Sequence, residues 1–145
     1  MTLSAGPGRS RRPRAVSGFV DTNVLIRHLT GDPPAMSKRA TAFLREASEL
    51  YLTDLVVAET IYVLESYYEL PREQIATTIR SLLAFDSISV VDRDVLLRAV
   101  EVYEIDRLDF AEAYLLACAE STGIGRVVSF DRSIDRVSSI ERVEP

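Results

Sequence analysis

The sequence is short of the residues on which several kinds of functional site depend. Its 145 residues include one cysteine, Cys118, and one histidine, His28, which excludes an internal disulfide and a zinc site built from these ligands. We expect Cys118 to face the core from a helix, because its neighbours are apolar, and His28 to lie on the surface. A Ser-His-Asp triad would depend on His28 alone. The Gly123–Gly125 segment lacks the rest of a phosphate-binding glycine motif.

Long apolar runs are also missing. No run approaches the roughly 20 residues needed to cross a bilayer, and residues 1–14 lack the apolar segment of a secretory signal. We therefore expect a cytoplasmic protein that does not associate with membranes. The length suits one domain, which we place at residues 17–145. Residues 1–16 are expected to form a disordered basic tail, because they are rich in Gly, Ser, Pro and Arg.

The charge balance argues against simple binding of nucleic acid. The net charge is −5, and it falls to −9 without the four arginines of residues 1–14. A domain this acidic repels a polyanion unless it gathers its carboxylates around metal ions or presents basic residues locally. Hydrophobic residues make up 47% of the chain, so a packed core is expected.

Short apolar runs alternate with longer segments of helical period, which predicts an α/β protein: a three-layer α/β/α sandwich with a mostly parallel central sheet. The predicted strands cover residues 16–20, 50–53, 88–91, 126–130 and 140–143. The predicted helices cover residues 23–29, 37–47, 55–68, 72–85, 93–104 and 110–121. Asp54 and Asp92 are the expected N-caps of the third and fifth helices, and glycines are expected to end the first and last.

Single acids follow two of these strands. Asp21 comes after the first strand and Asp131 after the strand at 126–130. Because ligands bind outside the carboxyl ends of parallel strands, we expect both acids at one edge of the sheet. Glu59 lies in an apolar helix segment, where an acid is costly to bury unless a cation or a donor compensates it. The alternative is that Glu59 lies on the solvent-facing side of the helix.

Two more acids, Asp109 and Glu112, stand three residues apart at the start of the last long helix. They also fit a capping box that favours acids in the first helical turn, so a structural role is an equal alternative. Together with the acids of the other elements they would make an all-oxygen site, which suits Mg²⁺ or Mn²⁺.

Four segments in family order resemble the motif regions of PIN-domain proteins, and most closely those of VapC toxins. They are VDTNVLIR from residue 20, VVAETIYVL from residue 56, DFAEAYLLACAE from residue 109 and VVSFDRSID from residue 127. The resemblance covers the chain from about residue 17. It implies a Mg²⁺-dependent endoribonuclease, the toxin component of a VapBC-type toxin–antitoxin system, with a VapB-type antitoxin as partner and usually a homodimer. The implied catalytic and metal-binding set is Asp21, Glu59, Asp109, Glu112 and Asp131.

In one respect the sequence departs from the family, whose third acid is usually Asp where this chain has Glu112. Whether Asp109 or Glu112 supplies the third contact therefore stays open. In the implied mechanism Asp21, the third acid and Asp131 hold one or two metal ions, and Glu59 binds metal or positions water. The metal lowers the pKa of a bound water and neutralises charge on the scissile phosphate.

Several polar residues complete the resemblance. Thr22, Asn23 and Ser129 match positions that would orient the carboxylates. Asp135 matches an acid often found after the last motif, although a solvated turn is an equal alternative. The arginines near the motifs are candidate phosphate contacts; they are Arg27, Arg132 and Arg136.

Two rival functions stay open at this point. One is a catalytically weak PIN-like module that binds RNA or protein, which the Glu112 departure allows. The other is a metal-dependent nuclease that acts on DNA. A phosphatase with an aspartyl nucleophile is disfavoured, because the second residue after Asp21 is Asn23 where that chemistry needs an acid.

Overall fold

The computed structural model describes residues 16–145. The helices are α1 (Thr22–Thr30), α2 (Pro34–Glu46), α3 (Asp54–Ser66), α4 (Arg72–Leu83), α5 (Arg93–Glu101) and α6 (Phe110–Thr122). The strands are β1 (Ser17–Phe19), β2 (Glu49–Tyr51), β3 (Ile88–Ser89), β4 (Arg126–Val128) and β5 (Glu141–Val143). This order of elements is the predicted one. The basic tail expected at residues 1–16 lies outside the described residues except for Val16, whose carbonyl accepts a hydrogen bond from the Ser48 N–H.

Local signals explain where most of the helices begin and end. Asp21 is the N-cap of α1, and Gly31 ends that helix in the left-handed conformation, at φ 73°. Gly123 ends α6 in the same way, at φ 80°, where a side chain would be strained. Asp92 caps α5 by accepting a hydrogen bond from the Val95 N–H. The glycine ends predicted for α1 and α6 and the Asp92 cap are therefore confirmed.

Several details of the helices differ from the prediction; α2, for example, begins at Pro34 rather than at residue 37. The N-cap of α3 is Thr53, whose side chain accepts a hydrogen bond from the Val56 N–H, so the expected cap at Asp54 is wrong. The reason is that Asp54 already has helical geometry and Thr53 is the extended residue before it. The helix expected to reach residue 104 ends at Glu101 and continues as a π-helical turn, Val102–Asp106.

All strand pairs are parallel, as expected for an α/β sandwich. In one sheet β2 lies between β1 and β3, with Leu50 opposite both Gly18 and Ile88. β4 pairs with β5 in a second sheet, where Val127 lies opposite Arg142. Among residues 16–145, β1 and β4 do not pair, so Asp21 and Asp131 follow strands of different sheets, and the expectation that both lie at the edge of one sheet is wrong. Apolar runs predict strands but not their partners, which depend on how the helices pack.

The core joins the helices that carry the predicted site. Its fully buried leucines include Leu25 on α1, Leu44 on α2, Leu64 on α3 and Leu116 on α6. Burying one such side chain contributes roughly 1.5–3 kcal/mol to the free energy of folding. α1 packs against α2 and α3, and α6 packs against α3 and α5. Helices that are distant in sequence are thereby held in fixed positions.

The single histidine and the single cysteine both pack against neighbouring side chains. His28 is half-buried rather than on the surface as expected. Its Nδ1 lies 2.7 Å from Thr41 Oγ1, and its ring meets Phe85 edge to face. Cys118 is half-buried and packs against the core, as a helix-face residue should. Within residues 16–145, the helices are all too short or too polar to traverse a lipid bilayer.

Candidate active site

Asp21 and Thr22 form the turn by which the chain passes from β1 into α1. The Thr22 N–H donates a hydrogen bond of 2.8 Å to Asp21 Oδ1. This bond satisfies one of the free N–H groups of the first helical turn. The Asp21 carboxylate is exposed at the carboxyl end of β1, so one oxygen is oriented by the backbone while the side chain faces solvent.

Thr22 also connects α1 to Glu59 on α3. The Thr22 side chain is buried, with 7% exposure, and its hydroxyl donates a hydrogen bond of 2.7 Å to Glu59 Oε1. Glu59 is exposed, so the alternative reading of its position, on the solvent-facing side of α3, is the correct one. Glu59 is thus both exposed and oriented, because the buried Thr22 hydroxyl holds one oxygen of its solvent-facing carboxylate.

Glu112 and Asp131 bring α6 and the end of β4 together. Hydrogen bonding with the Asp131 carboxyl group raises the pKa of Glu112 to about 7, and burial and the charges of Asp131 and Asp109 act in the same direction. The hydrogen bond from Glu112 and those from Ser133 lower the pKa of Asp131 to about 2. The pair therefore shares one proton between about pH 2 and pH 7 and carries two adjacent negative charges above that range.

Asp131 is held from both sides by serines. The Ser133 N–H donates a hydrogen bond of 2.9 Å to Asp131 Oδ1. The Asp131 N–H donates one of 2.9 Å to Ser129 Oγ, so Ser129 contacts the backbone of this acid rather than its carboxylate. Ser133 Oγ also lies 3.4 Å from Glu112 Oε1. Ser133 was not among the residues singled out in the sequence, although it falls inside the last motif segment.

The first turn of α6 does not contain the capping box that the sequence allowed. Asp109 is the N-cap residue by backbone position, but its side chain makes no capping hydrogen bond. Glu112 interacts with Asp131 and Ser133 instead of reaching back to the Asp109 N–H. The capping alternative is therefore wrong for both acids, and both carboxyl groups are available for another purpose.

The other predicted site residues lie apart from these contacts. The exposed Asn23 lines a groove between α1 and α2. Asp135 forms an ion pair with Arg142, at 3.1 Å, which favours its reading as a surface residue. Among the arginines expected near phosphates, Arg136 donates to the carbonyls of Asp106 and Arg107.

The backbone turn that leads into Asp109 is fixed by residues that sequence reasoning missed. A π-helical turn leaves carbonyl groups without helical partners. The Arg72 guanidinium donates to the carbonyls of Tyr103 and Leu108 at 2.8 and 2.6 Å and lies 4.3 Å from the centre of the Tyr103 ring. No local signal in the sequence relates Arg72 to this turn, since the two are joined only by the packing of α4 against it.

The donor chemistry of these residues fits a hard divalent cation. Within residues 16–145, no three or more Asp, Glu, His or Cys side chains are grouped closely enough to enclose a metal ion. Glu112 and Asp131, which both contact Ser133, nevertheless offer two neighbouring carboxyl groups. Mg²⁺ is commonly bound by one or two carboxylates together with waters and substrate phosphates, so a site of this kind is compatible with the residues present.

Comparisons with known proteins show which family the chain belongs to. The family model described as PIN domain matches residues 18–140. A VapC ribonuclease of Aquifex aeolicus (strain VF5) is 26% identical over 123 residues, covering 82% of this chain and 90% of the relative. The crystal structure of Mycobacterium tuberculosis VapC20, a Sarcin-Ricin loop cleaving toxin, is 21% identical, with a TM-score of 0.40 over 81% of this chain and 92% of that one. Since the family model spans nearly all of the described residues, the chain belongs to the PIN domain family.

Proposed function

We propose that the protein is a Mg²⁺- or Mn²⁺-dependent endoribonuclease and the toxin component of a VapBC-type toxin–antitoxin pair. The observation that carries the proposal is that Ser133 contacts the carboxyl groups of both Asp131 and Glu112, at 2.9 and 3.4 Å, beyond the carboxyl end of β4. In a PIN domain related to a VapC ribonuclease, two neighbouring carboxyl groups suit a metal-assisted phosphodiesterase. A ribonuclease of this kind acts on cellular RNA, which places it in the cytoplasm.

The carboxyl pair at α6 and β4 is the proposed centre of the metal site. Glu112 and Asp131 would hold the cation, and Asp109, whose charge reaches Glu112, would add to the negative field. Ser133 fixes the orientation of Asp131 through its N–H. When bound, the cation supplies a water of lowered pKa and a positive charge beside the scissile phosphate. Such a charge also removes the conflict between an acidic pocket and a polyanionic substrate.

The second part of the proposed site comes from α1 and α3. Asp21 would contribute a carboxylate to the metal, and Glu59 would bind metal or orient the attacking water. Thr22 holds Glu59 Oε1 through its hydroxyl and Asp21 Oδ1 through its N–H. Both carboxylates are therefore positioned before the substrate arrives, which reduces the entropic cost of the reaction.

An exposed apolar face supports a protein partner near the site. Leu55 and Tyr62 on α3 are 79% and 66% exposed, and helical spacing places them on the same face as Glu59. A VapB-type antitoxin that covers this face would also cover Glu59. We expect Leu55→Asp to weaken co-purification with the antitoxin, and light scattering of the free protein to give the mass of a homodimer.

The decisive experiment compares the wild type with Asp21→Asn. Asparagine remains a good N-cap, so α1 is preserved while the negative charge is lost. We expect wild-type expression to arrest growth and the purified protein to cleave RNA with Mg²⁺ or Mn²⁺ but not with EDTA. Asp21→Asn should do neither, and mapping the cut ends identifies the RNA target.

The matched control is Asp86→Asn, which makes the same change at an exposed turn residue between α4 and β3 and should behave as wild type. Growth without arrest and intact RNA in the presence of the wild-type protein would disprove the proposal.

A second candidate function is a PIN-like module that binds RNA or protein with little turnover. It is favoured by the absence, within the described residues, of a close group of three or more possible metal ligands. The same experiment separates the two functions, because binding without metal-dependent cleavage supports this candidate. Cleavage of single-stranded DNA in place of RNA would instead support a nuclease that acts on DNA.

A further inference from the structure

A groove runs between α1 and α2 next to the turn that carries Asp21. Its volume is about 490 Å³, and its lining includes Asn23 and Arg27 from α1 and Met36, Arg39 and Phe43 from α2. Asn23 is two residues beyond Asp21, the N-cap of α1, so one end of the groove lies at the first turn of that helix.

The groove holds cations that have no partner elsewhere in the described structure. Most arginines of residues 16–145 are already engaged. Those in ion pairs with carboxylates are Arg80, Arg98, Arg107, Arg126 and Arg142. Those bound to backbone carbonyls are Arg72, Arg93 and Arg136. The basic residues without such contacts to described residues are Arg27, Lys38, Arg39, Arg45 and Arg132, and four of these five lie on α1 or α2.

Acids are scarce in the same region. Between residues 22 and 45 the sole acid is Asp32, so this helical pair is positive in a domain that is strongly negative. The Nε atom of Arg27 is buried and lacks a hydrogen-bond partner among the described residues. A buried donor of this kind costs free energy until an acceptor satisfies it. An anionic ligand in the groove would supply that acceptor.

Apolar groups lie between the charges. Met36 and Phe43 line the groove and are 43% and 44% exposed. Arginines interleaved with an exposed aromatic side chain are the features by which proteins hold single-stranded nucleic acid, since the arginines contact the backbone and bases stack on the ring. An acidic peptide would satisfy the arginines as well, but the exposed ring of Phe43 suits the stacking of a base, which favours single-stranded RNA.

We infer that this groove holds the single-stranded RNA that flanks the scissile bond. Arg27 and Arg39 bind successive phosphates, and a base packs against Phe43 and Met36. The inference rests on the proposed endoribonuclease function and assigns a substrate path to it. It also replaces the earlier expectation for Arg136, whose guanidinium is committed to the turn before Asp109.

The test measures binding separately from cleavage. A short fluorescein-labelled single-stranded RNA is titrated by fluorescence anisotropy against Asp21→Asn protein, in which cleavage is expected to be lost. Adding Arg27→Gln and Arg39→Gln should weaken binding by on the order of tenfold. The slope of log Kd against log salt should fall by about 1.4, because each phosphate contact to a single strand contributes about 0.7. Phe43→Ala should weaken binding by on the order of tenfold without changing that slope.

Matched controls separate the groove from general charge and aromatic effects. Arg107→Gln with Arg126→Gln removes the same charge from exposed ion-paired residues, and Tyr67→Ala removes an aromatic side chain that is 77% exposed. Both should bind RNA as the Asp21→Asn parent does.

Two results would overturn the inference. The first is an Arg27 and Arg39 variant that binds RNA no more weakly than the charge control. The second is a glutamate–tyrosine copolymer that binds in an Arg27- and Arg39-dependent way when RNA does not, which would assign the groove to a protein partner. Neither result bears on whether the wild-type protein cleaves RNA, so the groove assignment and the proposed function can fail independently.

Discussion

The candidate active site has two parts, and in each part acidic side chains are held in a different way. In the Glu59 group (Asp21, Thr22 and Glu59), a neutral threonine lies between the acids and donates to both. In the Asp131 group (Glu112, Asp131 and Ser133), two carboxyl groups are neighbours and contact the same serine. Like charges in contact are stable only when a proton or a cation lies between them. The comparison identifies the Asp131 group as the stronger candidate for the principal metal contact.

The two parts also depend on different levels of structure. Asp21 and Thr22 are adjacent in sequence and share one helix start, so only their link to Glu59 requires tertiary packing. Glu112 and Asp131 come from α6 and the segment after β4, and they meet only because these elements pack together. Mutations in each part should therefore produce different signatures.

Beside the loss of activity expected for Asp21→Asn, the largest expected effect is the loss of a charge from the Asp131 group. Asp131→Asn keeps an oxygen that can accept from the Ser133 N–H but removes the carboxylate proposed to bind metal. We expect RNA cleavage to fall roughly 100- to 1000-fold, because a metal contact contributes several kcal/mol to the transition state. Single-turnover cleavage rates measure the loss, and Asp94→Asn on the exposed start of α5 is the control. A fall of only a few-fold would remove Asp131 from the proposed site.

The next effect concerns the hydroxyl that organises the Glu59 group. Thr22→Val keeps the shape of the side chain and removes the donor to Glu59 Oε1. Loss of a group that orients a metal-site carboxylate typically costs 10- to 100-fold in metal affinity or activity. The measurement is the Mg²⁺ concentration at half-maximal cleavage, and Thr22→Ser should restore it. An unchanged Mg²⁺ requirement in Thr22→Val would show that the Thr22 hydroxyl is not needed to orient Glu59.

A smaller effect is expected at the contact that joins the helices of the two parts. The Tyr114 hydroxyl on α6 donates to Asp54 Oδ2 on α3, and the other oxygen, Oδ1, is buried without a partner among the described residues. Tyr114→Phe should lower the free energy of unfolding by about 1–3 kcal/mol, since it leaves the carboxylate without its donor. Urea denaturation measures the change, and Tyr62→Phe at an exposed position is the control. Equal stability of the two variants would show that this bond does not hold α3 and α6 together.

The smallest effect is a dependence of metal-free stability on pH. The pKa of Glu112 is raised to about 7, so its protonated form stabilises the folded state at low pH and this stabilisation is lost as the pH rises through about 7. The pKa of Asp131 is lowered to about 2, so its contribution is present above its ordinary pKa and is lost as the pH falls through about 2.

In EDTA we therefore expect the unfolding midpoint to fall by roughly a few degrees as the pH rises from below to above 7. Glu112→Gln should flatten this profile, and Mg²⁺ should restore the wild-type midpoint at high pH, because the cation takes the place of the shared proton. A wild-type profile that stays flat in EDTA would contradict the shared proton.

The order of elements was predictable because it follows from local patterns. Apolar periodicity gave six helices and five strands in the observed order, and Gly31 and Gly123 end helices where expected. The cap at Asp54 was not predictable, because Thr53 and Asp54 are both good caps and only the backbone conformation selects Thr53. Local signals thus determined the type of each element more reliably than its last residue.

The candidate site also has features that were predictable from the sequence and features that were not. The acids and the family resemblance came from the motifs, and the family is confirmed, whereas the metal ligands themselves stay a prediction. Two features had no signal in the sequence. One is that Asp109 and Glu112 do not form a capping box, and the other is that Arg72 holds the turn before them. Both depend on side chains from other elements.

By itself, the sequence determined the chemical inventory of this protein: oxygen ligands, almost no soft ligands, and an acidic domain with an α/β order. Only the tertiary structure decided which acids meet and which cations are free. It paired Glu112 with Asp131, tied Glu59 to Thr22 and left Arg27 and Arg39 facing a groove. The physical reason is that propensity and periodicity act over a few residues, while contacts between charges depend on packing among helices that lie far apart in the chain.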